Sequence, residues 1–272
     1  GASRGIGREL AIQLLSRGAR VIAISRRAVE GEALAALQKA AVGGCGSVDT
    51  LPCDVSSVTD VRSLFADKLP SLGITKIDVL VNNAGIMPCI FADPVTTSDE
   101  LEEQTMRVNS GGAHFVTKFA LPYMLRTPDE IAQDPFERSV LFMGSAAAYM
   151  TEPEPGNGML AYHASKAAVN GTMVALHETF DAPLRPNSMT AVVRAGRSLG
   201  RIASADPGFV ATQLGSETLP PDAPTAEAYA LQKPGFGAVS IEAGTDTILW
   251  LVLAKSGVVG GKTYYKREAH AF

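Results

Sequence analysis

Short runs of apolar residues recur along the chain and predict its β-strands. Several of these runs are apolar throughout rather than alternating, a pattern typical of parallel strands that are covered on both faces. The predicted strands cover residues 19–25, 48–53, 77–83, 139–144, 201–206 and 261–266.

Between these runs, apolar residues recur every three or four positions and predict amphipathic helices. Leu10, Leu14 and Leu15 lie on one face of the first helix, and longer helices are predicted over 56–69, 110–126 and 159–180. Alternating strands and helices are typical of an α/β fold with a doubly wound parallel sheet and helices on both faces. No internal repeat or low-complexity linker interrupts the alternation, so we expect a single domain over residues 1–272.

Some segments depart from this alternation of strands and helices. Residues 127–138 are charged and contain proline, which predicts a surface insertion, and residues 216–237 are rich in Pro, Gly and Ala. Because a long irregular segment in a compact domain is usually functional or disordered, we expect a lid over the substrate at about 213–244. Residues 182–200 are longer than a helix-to-strand connection requires, and the sequence assigns them no function.

Charge and composition exclude several classes of function. The net charge of −4 provides no basic field for nucleic acid or an anionic membrane, and we expect neither as a partner. The longest apolar run, at 248–254, is far shorter than a membrane span.

The three cysteines form no CxxC pair, which argues against a disulfide framework or a zinc site and favours a cytoplasmic location. Since the chain opens at Gly1 rather than Met, we expect trimming at its start, and a leader could have been lost there.

The chain begins with the glycine-rich stretch GASRGIG, residues 1–7, followed directly by the first amphipathic helix. Glycines let a ligand approach the backbone closely, and the helix offers free N–H groups and a positive dipole end to a phosphate. The stretch therefore predicts a phosphate-binding loop. Such a loop is normally fed by a strand in the middle of the sheet, and we expect that strand to precede Gly1.

Tyr162 and Lys166 are four residues apart on the last long predicted helix and therefore share one of its faces. A free phenol has a pKa of about 10, and a nearby ammonium lowers it toward the range useful for proton transfer. The alternative is packing on a helix surface, which is the commoner reason for such a pair. The other motifs of the chain decide between the two.

Six motifs occur in one order: GASRGIG (1–7), NNAG (82–85), RVNSGGAHFV (107–116), MGSAAAY (143–149), YHASK (162–166) and DPGFVATQ (206–213). With these motifs the chain resembles the short-chain dehydrogenase/reductase family from residue 1 to about the last predicted strand. The resemblance implies a Rossmann-type fold and reversible hydride transfer between a nicotinamide cofactor and a carbonyl or alcohol. A catalytically silent, cofactor-binding regulator of the same fold is the alternative, and an epimerase or dehydratase of nucleotide sugars would need a larger C-terminal domain.

The resemblance also implies the roles of individual residues. Tyr162 is the catalytic acid or base, Lys166 is its partner, Ser145 binds the carbonyl oxygen, and Asn109 holds a water of the proton relay. The stretch between Ser145 and Tyr162 is longer than is usual in the family. The implied cofactor contacts are Gly1, Ser3, Arg4, Gly5, Ile6, Gly7, Ser25, Arg26, Arg27, Asp54, Val55, Asn83, Ala84, Gly85, Tyr162, Lys166, Pro207, Gly208, Val210 and Thr212.

Asp54 has two interpretations of equal weight, an adenine contact and the N-cap of the helix predicted over 56–69. Cys89, four residues after the NNAG motif, either lines the pocket or, more commonly for such a thiol, is inert. The four histidines have no metal-ligand spacing, and we expect no metal site.

The end of the second strand of such a fold selects between NAD(H) and NADP(H). Enzymes that use NAD(H) carry an acid there, whereas this chain carries Ser25, Arg26 and Arg27, with Arg4 in the glycine loop. A guanidinium pairs well with a 2′-phosphate, so these residues predict NADP(H) as the cofactor. Solvated surface arginines are the alternative. Apolar residues on more than one side of the helix at 110–126 further predict a homodimer or homotetramer.

Overall fold

The computed structural model describes residues 1–87, 95–149, 160–180, 196–208, 210, 214, 239–254 and 257–270. Most of the predicted lid at 213–244 and of the 182–200 stretch lies outside these residues, as do Thr212 and Cys89.

Seven strands are present in the described part of the chain. In chain order they are β1 (Arg20–Ser25), β2 (Ser47–Pro52), β3 (Val79–Asn82), β4 (Ser139–Met143), β5 (Arg201–Ala205), β6 (Thr263–Tyr265) and β7 (Glu268–His270). All six predicted strands are found, with ends that differ by a few residues at most.

The helices alternate with the strands, as the periodicity predicts. They are α1 (Gly5–Leu15), α2 (Gly31–Gly44), α3 (Val58–Ser63), α4 (Leu69–Ser71), α5 (Asp99–Met106), α6 (Gly112–Met124), α7 (Pro128–Gln133), α8 (Leu160–Phe180) and α9 (Ile241–Leu253). One π-helical turn, Leu64–Lys68, joins α3 to α4, and another, Arg107–Gly111, joins α5 to α6. The helix predicted over 110–126 therefore continues one that begins at Asp99, where acidic residues fill the first turn.

The strands form two hydrogen-bonded sheets rather than one. The first is the parallel pair β1–β2, and the second has the order β3-β4-β5-β6-β7. Gly1 lies between the two, because its amine donates to the Ile24 carbonyl (2.8 Å) and its carbonyl accepts from Asn83 Nδ2 (3.0 Å). The first residue of the glycine loop thus contacts the ends of β1 and β3.

The last sheet ends in a hairpin that the sequence pattern does not predict. β6 runs parallel to β5, but β7 returns antiparallel to β6. Lys266 and Arg267 form the two-residue turn with positive φ angles of 48° and 66°. Such turns are usually recognised by Gly or Asn, so a Lys-Arg turn gives no signal in the sequence.

Both faces of the larger sheet are covered, which explains why β4 carries apolar residues on both of its faces. Along β4, Val140 and Phe142 point to one core cluster, whereas Leu141 and Met143 point to another. The first cluster includes residues of α3, α6 and α8, and the second includes residues of α1 and α9. Every residue of β4 and β5 is buried as a result. The chain has the doubly wound α/β architecture that the alternation predicts.

The charged segment 127–138 lies on the surface, as predicted, but it is partly helical. Thr127 and Glu130 form a capping box at the start of α7, and none of the six residues of this helix is buried. Arg126 and Arg138 flank it and are 4% and 9% exposed. Their guanidinium groups donate to backbone carbonyl groups, so they anchor both ends of the segment to the core.

Candidate active site

The carboxyl ends of the parallel strands bring most of the predicted site residues to one edge of the sheets. Ser25 ends β1, Asp54 lies shortly after β2, Asn83 follows β3, Ser145 lies shortly after β4, and Pro207 lies shortly after β5. These residues therefore meet in space although Ser25 and Pro207 are 182 positions apart along the chain.

The glycine loop, residues 1–7, has the features of a phosphate cradle. The N-cap of α1, Arg4, is extended and forms no side-chain cap hydrogen bond, so the first-turn N–H groups face outward. A Cβ on Gly7 would lie 2.1 Å from the Gly1 carbonyl oxygen, which means that only glycine fits there. Gly5 has a φ of 57°. The loop fits the pyrophosphate of a dinucleotide cofactor.

The end of β1 carries the basic residues predicted to select the cofactor. Arg26 and Arg27 are exposed. Ser25 is 6% exposed, and its Oγ donates to the Arg27 carbonyl at 2.5 Å. The serine hydroxyl thus shapes the turn that presents the two guanidinium groups.

Asp54 and Val55 follow β2 and organise the next turn. The Asp54 carboxylate accepts hydrogen bonds from Ser56 N (2.9 Å) and Ser56 Oγ (2.7 Å). The N-cap of α3 is Ser57, so the interpretation of Asp54 as the cap residue is wrong. Its contact with adenine stays a prediction. The Val55 side chain packs against Gly112, where an added Cβ would approach it to 2.8 Å.

The residues after β3 lie between the glycine loop and Asn109. Asn83 Nδ2 donates to the Gly1 carbonyl, and a Cβ on Gly1 would lie 3.0 Å from the Ala84 Cα. Gly85 is similarly close to Asn109, whose Oδ1 would lie 3.4 Å from an added Cβ. The motif 82–85 therefore permits close packing of three backbone segments.

Asn109 lies in the π-helical turn between α5 and α6 and is 2% exposed. Its Oδ1 accepts from Ile86 N (2.8 Å), while its Nδ2 donates to Ile86 O (2.9 Å) and to Ser165 Oγ (3.0 Å). The side-chain amide therefore fixes the segment after β3 to helix α8. A water held by Asn109 stays a prediction.

Tyr162, Lys166 and Ser145 converge where α8 crosses the end of β4. The Lys166 ammonium lies 5.7 Å from the centroid of the Tyr162 ring and donates to the Met143 carbonyl at 2.9 Å. Tyr162 and Lys166 are only 9% and 6% exposed. Ser145 caps the short 3₁₀ turn Ala146–Ala148, and its Oγ accepts from Ala147 N at 3.2 Å.

Burial dominates the electrostatics of this group. Desolvation raises the pKa of Tyr162 to about 12, although its hydrogen bond with Ser145 acts to lower the pKa. Desolvation also lowers the pKa of Lys166 to about 8. The pKa of Tyr162 is thus raised by burial while the Lys166 ammonium is directed at Met143 O, and a lowering of that pKa by Lys166 stays a prediction.

The segment after β5 supplies the remaining described residues of the predicted site. Gly208 has a φ of 70°, and a Cβ there would lie 3.1 Å from the Tyr265 ring. Val210 forms a parallel bridge with Val239 and packs against Gly244 of α9. This segment thus links β5 to the hairpin and to α9.

Three residues at the site were missed by sequence reasoning: Tyr149, Ser165 and Asp206. Asp206 is 3% exposed and accepts a hydrogen bond from Tyr149 at 2.9 Å. An acidic residue at the end of a predicted strand is a signal that could have identified Asp206. Ser165 bridges Asn109 and the Tyr162 carbonyl and looks in the sequence like any small helical residue.

Within the described ranges, no three His, Cys, Asp or Glu side chains are grouped as a metal ion would require. None of the described helices combines the length and the apolar character needed to cross a membrane.

Comparisons with known proteins find similar sequences and similar folds. The family model for short chain dehydrogenases matches residues 1–183. A protein of Arabidopsis thaliana named 11-beta-hydroxysteroid dehydrogenase-like 2 is 28% identical over 79% of this chain, and the aligned part spans 58% of that protein. The chain spans about half the length of this protein and of two other plant relatives that are also named as 11-beta-hydroxysteroid dehydrogenases.

Two further comparisons extend over almost the whole chain. The short chain dehydrogenase/reductase astE of Aspergillus oryzae is 28% identical over 97% of this chain and 89% of its own length. An NADH-dependent reductase, A1-R′, described as responsible for alginate metabolism, superposes with a TM-score of 0.69 at 21% identity, over 97% of this chain and 92% of its own. The second likeness concerns the fold alone.

Proposed function

Because the chain belongs to the short-chain dehydrogenase family, whose members are oxidoreductases with nicotinamide cofactors, we propose that it interconverts a ketone and a secondary alcohol with NADP(H). The observation that carries this proposal is the group of Tyr162, Ser145 and Lys166 at the carboxyl edge of the sheet. The group lies on the same edge as the glycine loop, so a dinucleotide held by the loop reaches it.

The cofactor supplies the hydride, and the residues of this chain handle the proton and the carbonyl oxygen. The Tyr162 hydroxyl gives its proton to the oxygen as negative charge develops there. Ser145, which already bonds with Tyr162, donates a second hydrogen bond to the same oxygen. The Lys166 ammonium adds a positive charge beside the phenol.

We assign NADP(H) rather than NAD(H) on the basis of the β1 end. Arg26 and Arg27 are exposed there, and among the described residues neither forms an ion pair. Two guanidinium groups and no carboxylate favour a phosphorylated ribose. We also propose that residues 1–272 form a single domain. The end of the predicted lid is wrong, because residues 241–244 form the first turn of α9.

The test of this function is a panel of ketones and alcohols assayed by the absorbance of the reduced cofactor. Steroid ketones belong in the panel because of the hydroxysteroid dehydrogenase name of the relative, together with aliphatic, aromatic and acyl ketones. We expect turnover of at least one class with NADPH. Binding of the cofactor without turnover of any compound would contradict the proposal and favour a regulatory protein.

We further propose a homodimer or homotetramer that uses the face formed by α5 and the start of α8. Met106 and Leu160 are 36% and 60% exposed there, and they line one groove together with Arg107 and Ser110. Exposed apolar residues around a groove are typical of protein contacts. We expect light scattering at micromolar concentration to give a multiple of the chain mass. Leu160→Glu should reduce a dimer to one chain, and a tetramer to a dimer.

The matched control for assembly is Val42→Glu, which changes an 83%-exposed apolar residue on α2. It is expected to leave the mass unchanged. A monomeric wild type would contradict the assembly, and equal dissociation by both variants would place the contact elsewhere.

A further inference from the structure

Asp206 is a buried carboxylate that the proposed reaction does not use. It follows β5 directly and is 3% exposed. Its backbone N–H donates to the Tyr264 carbonyl at 2.8 Å, while the preceding Ala205 carbonyl accepts from Gly144 N at 2.7 Å. Asp206 is therefore held rigidly beside the strand end that carries Ser145.

The two oxygens of the Asp206 carboxylate have neutral donors as partners. Tyr149 Oη donates to Oδ2 and Gly208 N donates to Oδ1, both at 2.9 Å. Among the described residues no cation forms an ion pair with Asp206. A buried carboxylate without a contacting cation is costly, so a cation at longer range is expected to offset its charge.

Lys166 is a buried cation that, among the described residues, forms no ion pair with a carboxylate. Within the described ranges, its ammonium donates to the neutral carbonyl of Met143. Met143 is paired with Ala205 in the β4–β5 register, so the carbonyl that binds Lys166 lies next to the residue preceding Asp206. The acidic group and the ammonium thus occupy neighbouring strand ends inside one desolvated site.

The polar and ionisable groups around Lys166 belong to a few helices, turns and strand ends. The Tyr162 ring lies beside it on the same helix. Asp206, directly after β5, is the charged group that acts to raise the Lys166 pKa against the larger effect of desolvation. Tyr149 and Ser145 approach from the 3₁₀ turn as hydroxyl groups, with His270 stacked on Tyr149 at 6.3 Å and Tyr265 beyond Gly208. Of these residues, Asp206 is the one that carries a carboxylate and therefore a negative charge at neutral pH.

We propose that Asp206 is a positioning residue that keeps the Lys166 ammonium charged and seated on the Met143 carbonyl, with Tyr149 holding the carboxylate in place. This inference rests on the proposed oxidoreductase function, since it concerns the same acid–base pair. Asp206 does not touch the reacting atoms and acts through Lys166 and Tyr162.

The sign of the effect follows from the charge. A carboxylate favours the ammonium and disfavours the phenolate, and Asp206 accordingly raises the pKa of Lys166 and the pKa of Tyr162. Removing its charge is therefore expected to lower both. The alkaline limb of carbonyl reduction and the acid limb of alcohol oxidation should both move to lower pH.

The test compares the pH dependence of kcat/KM in the wild type with that in Asp206→Asn. We expect both limbs to move down by about one pH unit. Asp206→Ser, a smaller neutral variant, is expected to show the same shift. Tyr149→Phe, which retains the carboxylate, should move the limbs much less. Asp49→Asn, the same charge change at the exposed Arg20–Asp49 pair, should leave them in place.

A second measurement does not depend on activity. In protein carrying isotope-labelled lysine, the Lys166 signal is identified by its loss in Lys166→Met and titrated by NMR. We expect a midpoint near the lowered pKa of about 8 in the wild type. The midpoint should fall by about one unit in Asp206→Asn.

Unchanged limbs and an unchanged Lys166 midpoint in a folded neutral variant would overturn the inference, even if activity fell. A wild-type midpoint below about 7 would also overturn it, since that lysine would not be held charged at neutral pH. A wild type that turns over no carbonyl compound would refute the proposed function instead, and the NMR midpoints would still decide the role of Asp206.

Discussion

Replacing Tyr162 by Phe is expected to lower kcat by about 100- to 10,000-fold, the usual contribution of a positioned acid or base. The change removes the proton donor and the hydroxyl that bonds with Ser145. The ring is 9% exposed, and a phenylalanine ring fills the same space. The free energy of unfolding and the dissociation constant of NADPH should therefore change little. Stopped-flow reduction of a carbonyl substrate and fluorescence titration of NADPH measure the two effects.

The matched control is Tyr123→Phe. Tyr123 Oη donates to the Phe65 carbonyl. The two residues belong to the core cluster that includes α3, α6 and α8, away from the carboxyl ends of the strands. This variant loses a hydroxyl of the same kind and is expected to keep kcat, with at most a small loss of stability of about 1 kcal/mol. A Tyr162→Phe enzyme that retains more than about a tenth of kcat would show that another group is the acid.

The fold is largely predictable from the sequence because its signals are local. Strand β4, SVLFM, is buried on both faces, and its run of four apolar residues predicts this without any structure. The hairpin at the end of the sheet is different. Its turn depends on positive φ angles at Lys266 and Arg267, and such strain is imposed by the surrounding tertiary structure rather than by the residues themselves.

The candidate site is predictable in its members but not in its contacts. The spacing of Tyr162 and Lys166 on a helix places them on one face, as observed. The spacing does not reveal that the ammonium reaches across to Met143, because that contact depends on how α8 crosses β4. Asn109 likewise matches a motif, yet its hydrogen bonds to Ile86 and Ser165 require the packing of three separate segments.

Burial explains why the electrostatics could not be predicted. From the sequence, the charge of Lys166 is expected to dominate and to lower the pKa of Tyr162. In the structure the phenol is desolvated and its pKa is raised instead. Asp206 contributes in the same direction, from a strand end 44 residues away along the chain. The catalytic pKa therefore depends on long-range packing, and a bound carbonyl or cofactor would change the solvation again.

The wild type is expected to prefer NADPH to NADH in kcat/KM by about ten- to a hundredfold, and the double variant Ser25→Asp, Arg26→Ala is expected to remove or reverse this preference. A charge-assisted hydrogen bond from a guanidinium to a phosphate contributes roughly 1.5–3 kcal/mol, so losing one accounts for a change of this size. An aspartate at position 25 would in addition repel the 2′-phosphate and accept hydrogen bonds from an unmodified ribose. Because Ser25 is buried and shapes the turn, the single variant Arg26→Ala separates the loss of charge from a change in the turn.

Arg17→Ala provides the control for the cofactor preference, since it removes an equally exposed guanidinium at the far end of α1, where Arg17 binds the Gln13 carbonyl. Raising the salt concentration gives a second control, because the contribution of exposed arginines to phosphate binding should weaken as the charges are screened. The Arg17 variant should retain the preference, and Arg26→Ala should lose most of it through a higher KM for NADPH with an unchanged KM for NADH. Equal use of both cofactors by the wild type would overturn the assignment. A preference that survives in the double variant would move the determinant to Arg27 or Arg4, the other two guanidinium groups near the ribose side of the glycine loop.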